Sequence, residues 1–282
     1  MREPSESVAA AFPRPGRALK AVLIAIAFFA IAGAIVWNWA PGPPAGAEVF
    51  KWVVFQPHDF VKKPWTLLTS GIFTNPESFS HALWSLVGLY FLTNDLEKKW
   101  GGARLLRFLA ISVVMGNLMV LAVDLALPSR LAIFHPAIAL GPMAAITATA
   151  MAWAKENATR EIRLFFFLPI KGKSLYWITI GFSVLALLFM QGTPEGAVAP
   201  FGGILAGILF GGTPSPARSA WLRTKLGFMR RQGNALTVES ITGSDRPRAP
   251  KRKGGPPLRV VQGGLDDDLK NRKPPKDKRY LN

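Results

Sequence analysis

Residues 79–127 read FSHALWSLVGLYFLTNDLEKKWGGARLLRFLAISVVMGNLMVLAVDLAL, and this stretch decides the fold. Two apolar runs flank a short polar knot that holds Glu97, Lys98, Lys99 and the pair Gly101-Gly102. Each run is close to the ~20 residues a helix needs to cross a hydrocarbon core. Glycine pairs stop helices, so the spacing predicts one helix over about Phe79–Lys98 and another over about Leu105–Leu127.

The same block length recurs on both sides. Upstream, a run from about Leu19 to Ala40 follows Arg14, Arg17 and Lys20 and closes on Trp37 and Trp39, a basic end and an aromatic belt. A cleaved signal peptide ending at Ala45-Gly46-Ala47 is the rival reading, but the run is long for one and a Pro-Gly-Pro-Pro stretch intervenes. Downstream, apolar runs cover about Pro136–Ala154, Ser174–Gln191 and Ala197–Gly212. The expected fold class is therefore an all-α membrane protein, a bundle of six transmembrane helices over residues 19–212. Residues 1–18 precede it, and a basic tail follows over 213–282.

Half of the 282 residues are hydrophobic and the formal charge is +17. In a membrane protein, sidedness is the first thing such a charge reports. With the N-terminus inside, the inner segments carry Arg2, Arg14, Arg17, Lys20, then Lys98, Lys99, Arg104, Arg107, then Lys155, Arg160, Arg163, Lys171, Lys173. The outer ones carry only Lys51, Lys62, Lys63 and Arg130. The bias predicts cytoplasmic termini and a multi-pass protein, in the inner membrane of a bacterium if the source is bacterial. With no cysteine, disulfides, thiolate nucleophiles and thiolate metal sites are excluded. Three histidines leave little for a metal site, and no cofactor is expected.

The connection from Pro41 to about Ser78 holds Trp52, Phe55, Phe60, Trp65 and Phe73 and reads as an interfacial loop. The tail is rich in Pro, Gly, Arg and Lys, and disorder is the default. Residues 215–232 are the exception: Trp221, Leu222, Leu226 and Met229 share a face, as in an interfacial amphipathic helix. The tail's charge reads first as a cytoplasmic flank that enforces topology and solubility, and next as a surface for anionic lipid. The run Asp266-Asp267-Asp268 argues against nucleic acid.

From the second helix onward the chain resembles the rhomboid intramembrane serine proteases. Their His-x-x-x-Asn pair, acidic residue and glycine are matched by His81, Ser85 (in place of Asn), Glu97 and Gly101. Their Trp-Arg loop is matched by Trp65 and Thr66. The Gly-x-Ser-Gly nucleophile motif aligns with HPAIALGPMAAITA, where Gly141 fits and Met143 stands for the serine. The Ala-His-x-x-Gly-x-x-x-Gly base motif aligns with APFGGILAG, where Gly203 and Gly207 fit and Pro200 stands for the histidine.

A thioether cannot be deprotonated for attack, and proline offers no basic lone pair. The resemblance therefore implies a pseudoprotease: no catalytic residues, degenerate positions Met143, Pro200 and Ser85, and a preserved scaffold of Trp65, His81, Gly141, Gly203 and Gly207, with His135 near the same outer cavity. Its expected partners are the lipid bilayer and transmembrane segments of client proteins, entering beside the fifth helix. The alternative is a serine endopeptidase with a displaced Ser/His dyad, drawing on Ser80, Ser85 or Ser129. A small transporter is a weaker third reading, since intramembrane charges and paired broken helices are lacking. Other expectations are that His81 bonds a loop carbonyl, that Asn117 finds a partner inside the bundle, that Glu97 braces the turn between the second and third helices, and that Asp124 reaches water.

Overall fold

A computed structural model describes residues 14–39, 45–128, 131, 134–159, 161–164, 168–189 and 193–242. The chain divides into two units, Met1–Gly227 and Phe228–Asn282. The first holds the bundle: α1 (Arg17–Trp39), α2 (Ala45–Val53), a 3-10 turn (Pro57–Asp59), α3 (Thr66–Thr69), α4 (Phe79–Trp100), α5 (Gly102–Ala126), α6 (Met143–Glu156), β1 (Glu161–Leu164), β2 (Leu168–Lys171), α7 (Gly172–Leu188) and α8 (Ala199–Phe210). A further helix, α9 (Pro216–Thr242), begins in the first unit and supplies the described part of the second.

The six apolar blocks correspond to α1, α4, α5, α6, α7 and α8. Of these, α1 and α5 are long and apolar enough to cross a membrane; α7 and α8 are apolar but shorter. Local chemistry sets the boundaries. Ser78, in an extended conformation, caps α4 by accepting from the His81 backbone N–H. Gly101, at φ +77°, ends α4 in a conformation other residues resist, and α5 starts at once. Along α5 the buried residues Leu105, Phe108, Leu109, Ser112, Val113, Gly116, Asn117, Val120 and Leu121 fall at three- and four-residue intervals, one face turned to the core.

The fourth block departs from expectation. Its helix starts at Met143, not near Pro136, and is 14 residues long. Residues ahead of it run extended: Ala139 exchanges backbone hydrogen bonds with Phe55, at 3.0 and 2.7 Å. Gly141 sits at φ +127° and Pro142 follows it, a pairing that disfavours helix before the proline. Once begun, α6 is the centre of the bundle, with Ala144, Ala145 and Thr147–Ala154 buried. It packs against α4, α5, α7 and α8. Small side chains on almost every face make that possible.

The seam between α6 and α8 is made by glycine. A Cβ on Gly203 would collide with Thr147 Oγ1 and the Ala144 carbonyl, and one on Gly207 would lie 2.6 Å from the Met151 Cβ. Gly202 makes the same kind of approach to α5, at Met115 and Gly116. Helices lacking side chains at the contact approach backbone to backbone, as small residues permit in lipid.

Three other expectations change. The β1–β2 hairpin, paired from Glu161↔Lys171 to Leu164↔Leu168, was not foreseen. Glu97 does not brace the α4–α5 turn; its carboxylate accepts from the backbone N–H groups of Ala18 (2.9 Å) and Leu19 (3.1 Å), capping the N-terminus of α1, where the helix dipole favours negative charge. The amphipathic segment expected over 215–232 becomes the longer α9, with Pro216 at its start and Ser215 accepting from Arg218 N at 3.4 Å. No proline interrupts the chain between Pro216 and Pro247, and the helix continues through Gly233-Asn234 to Thr242. Ala40, Ser129, Arg130, Gln191 and the tail beyond 242 lie outside the described residues.

Candidate functional site

His81 sits in the first turn of α4, where the Ser78 cap fixes its backbone. Its Nδ1 accepts from the Asn75 backbone N–H at 3.0 Å. That nitrogen therefore has a free lone pair, and the ring hydrogen is on Nε2. Nε2 lies 2.6 Å from Oε1 of Glu195, so it donates to a carboxylate 114 residues away. Both side chains are enclosed, at 12% and 4% exposure. The expected partner of His81 was a loop carbonyl; a buried carboxylate takes that place, and a charged acceptor makes a stronger bond than a neutral one.

Gly141 makes room for this pair. A Cβ there would lie 2.6 Å from Glu195 Oε1 and 2.7 Å from its Cγ. Its N–H donates to the Ser70 carbonyl at 3.0 Å, and Leu140 N–H donates to the Pro194 carbonyl at 2.8 Å. Two loops are thus clipped together ahead of α6, and the acid is pressed onto the residue two positions before Met143. A cavity of about 200 Å³ adjoins them, its lining including Asn75, Leu140 and Pro194.

The backbone carbonyls of Met143 and Pro200 both lie within reach of one buried hydroxyl. Thr147 Oγ1 has three carbonyl acceptors in reach: Met143 at 3.0 Å, Ala144 at 3.1 Å and Pro200 at 3.2 Å. Neither a histidine nor a carboxylate is among them, so nothing there activates the hydroxyl. Ser85 is buried on α4. Ser78 and Ser80 hydroxyls pair with each other at 3.0 Å. Among the described residues no serine hydroxyl is bonded to a histidine ring.

The remaining sites separate. His135 is bound through Nδ1 to Asp124 Oδ1 at 2.9 Å and through Nε2 to the Pro128 carbonyl at 3.1 Å. With acceptors on both nitrogens, the doubly protonated ring is favoured: the hydrogen bond to Asp124, then the one to Pro128, raises its pKa above the ordinary 6.5. Asp124 is not open to water as expected; it is 9% exposed because His135 and the end of α5 enclose it. His58 Nδ1 lies 3.8 Å from the same carboxylate. Trp65 stacks on Trp52 (centroids 6.3 Å apart, planes at 7°) and donates to the Trp52 carbonyl at 2.9 Å, forming a surface platform. Gly203 and Gly207 belong to the α6–α8 seam. Asn117 donates to the Leu67 carbonyl (2.8 Å) and to Ser70 Oγ (2.7 Å), so its partner is the segment around α3 rather than another long helix.

Sequence reading missed Glu195. The available signal was that it is the only acidic residue between Glu161 and Glu239, set between two apolar blocks.

A family model described as eukaryotic integral membrane protein (DUF1751) matches residues 20–210, from the first turn of α1 to the end of α8. No curated protein matches the chain.

Proposed function

Since the chain belongs to the eukaryotic integral membrane protein family DUF1751, we propose that it is a rhomboid-like pseudoprotease: a six-span membrane bundle, termini on the cytoplasmic side, that holds transmembrane segments of client proteins without cutting them. The observation that carries this reading is the His81–Glu195 bond. In the resemblance, His81 matches the histidine of the family's His-x-x-x-Asn pair; here its one donor is spent on an internal carboxylate. The positions of nucleophile and base hold Met143 and Pro200, and the hydroxyl between them has only carbonyls to bond.

Client binding fits α7. Only Gly172, Leu175 and Ser183 of its 17 residues are buried. Trp177, Phe182, Leu188 and Phe189 stand 63–75% exposed. Apolar surface of that extent on a membrane helix faces either lipid or another helix.

The test has two arms on the purified full chain in lipid. A fluorophosphonate probe leaves the protein unlabelled; labelling lost on replacing one serine refutes the absence of chemistry. A photo-crosslinking residue at position 182 captures an intact membrane segment; capture of lipid alone refutes client binding.

A further inference from the structure

An open apolar groove of about 470 Å³ lies between α1 and α4. Leu23, Ile24 and Ala27 form one wall, and Leu86, Val87 and Phe91 the other. The two helices run antiparallel, since Glu97 near the end of α4 caps the start of α1. The groove therefore has a defined basic end. On α1, Lys20 stands three and four residues before Leu23 and Ile24, on the same stripe, with Arg17 one turn further out. On α4, Lys98 stands two turns past Phe91 on the matching stripe. All three side chains are exposed, and among the described residues no carboxylate pairs with them. The nearby acids are committed: Glu97 to Ala18 and Leu19, and Asp95 to the Trp153 indole at 3.2 Å.

We propose that this groove is a binding site for a single anionic glycerophospholipid, with an acyl chain against Leu23, Ala27 and Val87 and the phosphate among Arg17, Lys20 and Lys98. Size favours this occupant. The walls span about five residues of each helix, roughly 7 Å at 1.5 Å per residue. A transmembrane partner helix would make a seam along most of a ~30 Å core. A hydrocarbon chain fills a short groove and leaves its headgroup at the end. Charge points the same way: three unpaired cations complement a phosphate, and they sit where an apolar chain of the same molecule would surface. The groove takes its lining from α1 and α4 alone.

The experiment is native mass spectrometry of the full chain extracted in mild detergent. It is titrated with phosphatidylglycerol and phosphatidylcholine of identical acyl chains. One phosphatidylglycerol survives washing that strips phosphatidylcholine. K20Q/K98Q weakens that retention by roughly 25-fold, about fivefold for each cation at an anionic surface. Ala27→Phe fills the groove and abolishes it with the helical circular dichroism unchanged; Val87→Phe, from the opposite wall, replaces it should that variant unfold. K251Q/R252Q/K253Q in the tail leaves retention intact. Equal retention of the two lipids overturns the proposal. So does retention that persists in K20Q/K98Q, retention lost in the tail variant, or a polypeptide in place of the lipid.

Discussion

Replacing His81 by alanine removes the only hydrogen-bond donor to the Glu195 side chain among the described contacts and strands a carboxylate whose side chain is 4% exposed. Leaving a buried charged acceptor without its donor costs about 3 kcal/mol or more, above the range for a neutral group, because the carboxylate is neither hydrogen-bonded nor solvated. Glu195→Ala strands a neutral N–H instead, for about 1–3 kcal/mol. Glu195→Gln keeps an oxygen facing Nε2 and exchanges a charged acceptor for a neutral one, for about 1 kcal/mol. The order expected is H81A, then E195A, then E195Q, the mildest. The decisive variant is H81A/E195A: with no charge left to strand, it recovers about 2 kcal/mol or more relative to the sum of the two single changes. The assay is unfolding of the full chain in mixed micelles with rising sodium dodecyl sulfate, followed through its nine tryptophans. If H81A is no worse than E195Q, or if the double variant equals the sum of the singles, the bond does not organise the centre as argued.

Three other outcomes follow from the same coordinates. Gly203→Ala drives a methyl into Thr147 and the Ala144 carbonyl, both rigid, so it costs about 3 kcal/mol or more in the same assay, the upper end of overpacking, whereas Gly181→Ala, with open space around it, is neutral or stabilising. Glu97→Ala removes the α1 cap and lowers stability by about 1–2 kcal/mol, and Glu97→Gln recovers part of the loss; equal effects would refute the charge–dipole account. The His135–Asp124 contribution depends on pH: the histidine pKa is raised in the folded chain, so its contribution is full below the ordinary 6.5 and is lost as pH rises through the higher folded value. Unfolding midpoints at pH 5.5 and 8.5 therefore diverge less in His135→Gln than in the parent chain, and an unchanged divergence counts against the assignment.

The long helices were legible because burying or crossing with α-helix needs apolar blocks of set length, and Gly101-Gly102 marks a break in plain letters. What the letters hid depends on distance along the chain. Glu195 and His81 are 114 residues apart, and no local spacing connects them. The acid of an apparent turn, Glu97, belongs to a helix end 78 residues upstream. The start of α6 was misread because apolar periodicity continues through Ala137–Leu140, while the backbone there is held extended by Phe55 and released into helix only after Gly141-Pro142. That residues 134–150 hold no serine and residues 199–210 no histidine could be read from composition alone, since a residue type absent from a block cannot be supplied by folding. The carbonyl acceptors that Thr147 Oγ1 meets on α6 and α8 could not.

The glycine seam has a mechanical consequence. Side chains between two helices act as a deformable layer that lets one slide past the other by changing rotamers. Between α6 and α8 that layer is missing, and backbone rests on backbone at Gly203 and Gly207. Such a pair moves as a single plank, and Gly202 ties α5 to it. Any opening of the bundle must therefore hinge elsewhere. The bundle helix α7, with only Gly172, Leu175 and Ser183 buried, lies outside that plank, and its chain continues from the β1–β2 hairpin before it toward the segment that carries Glu195 after it.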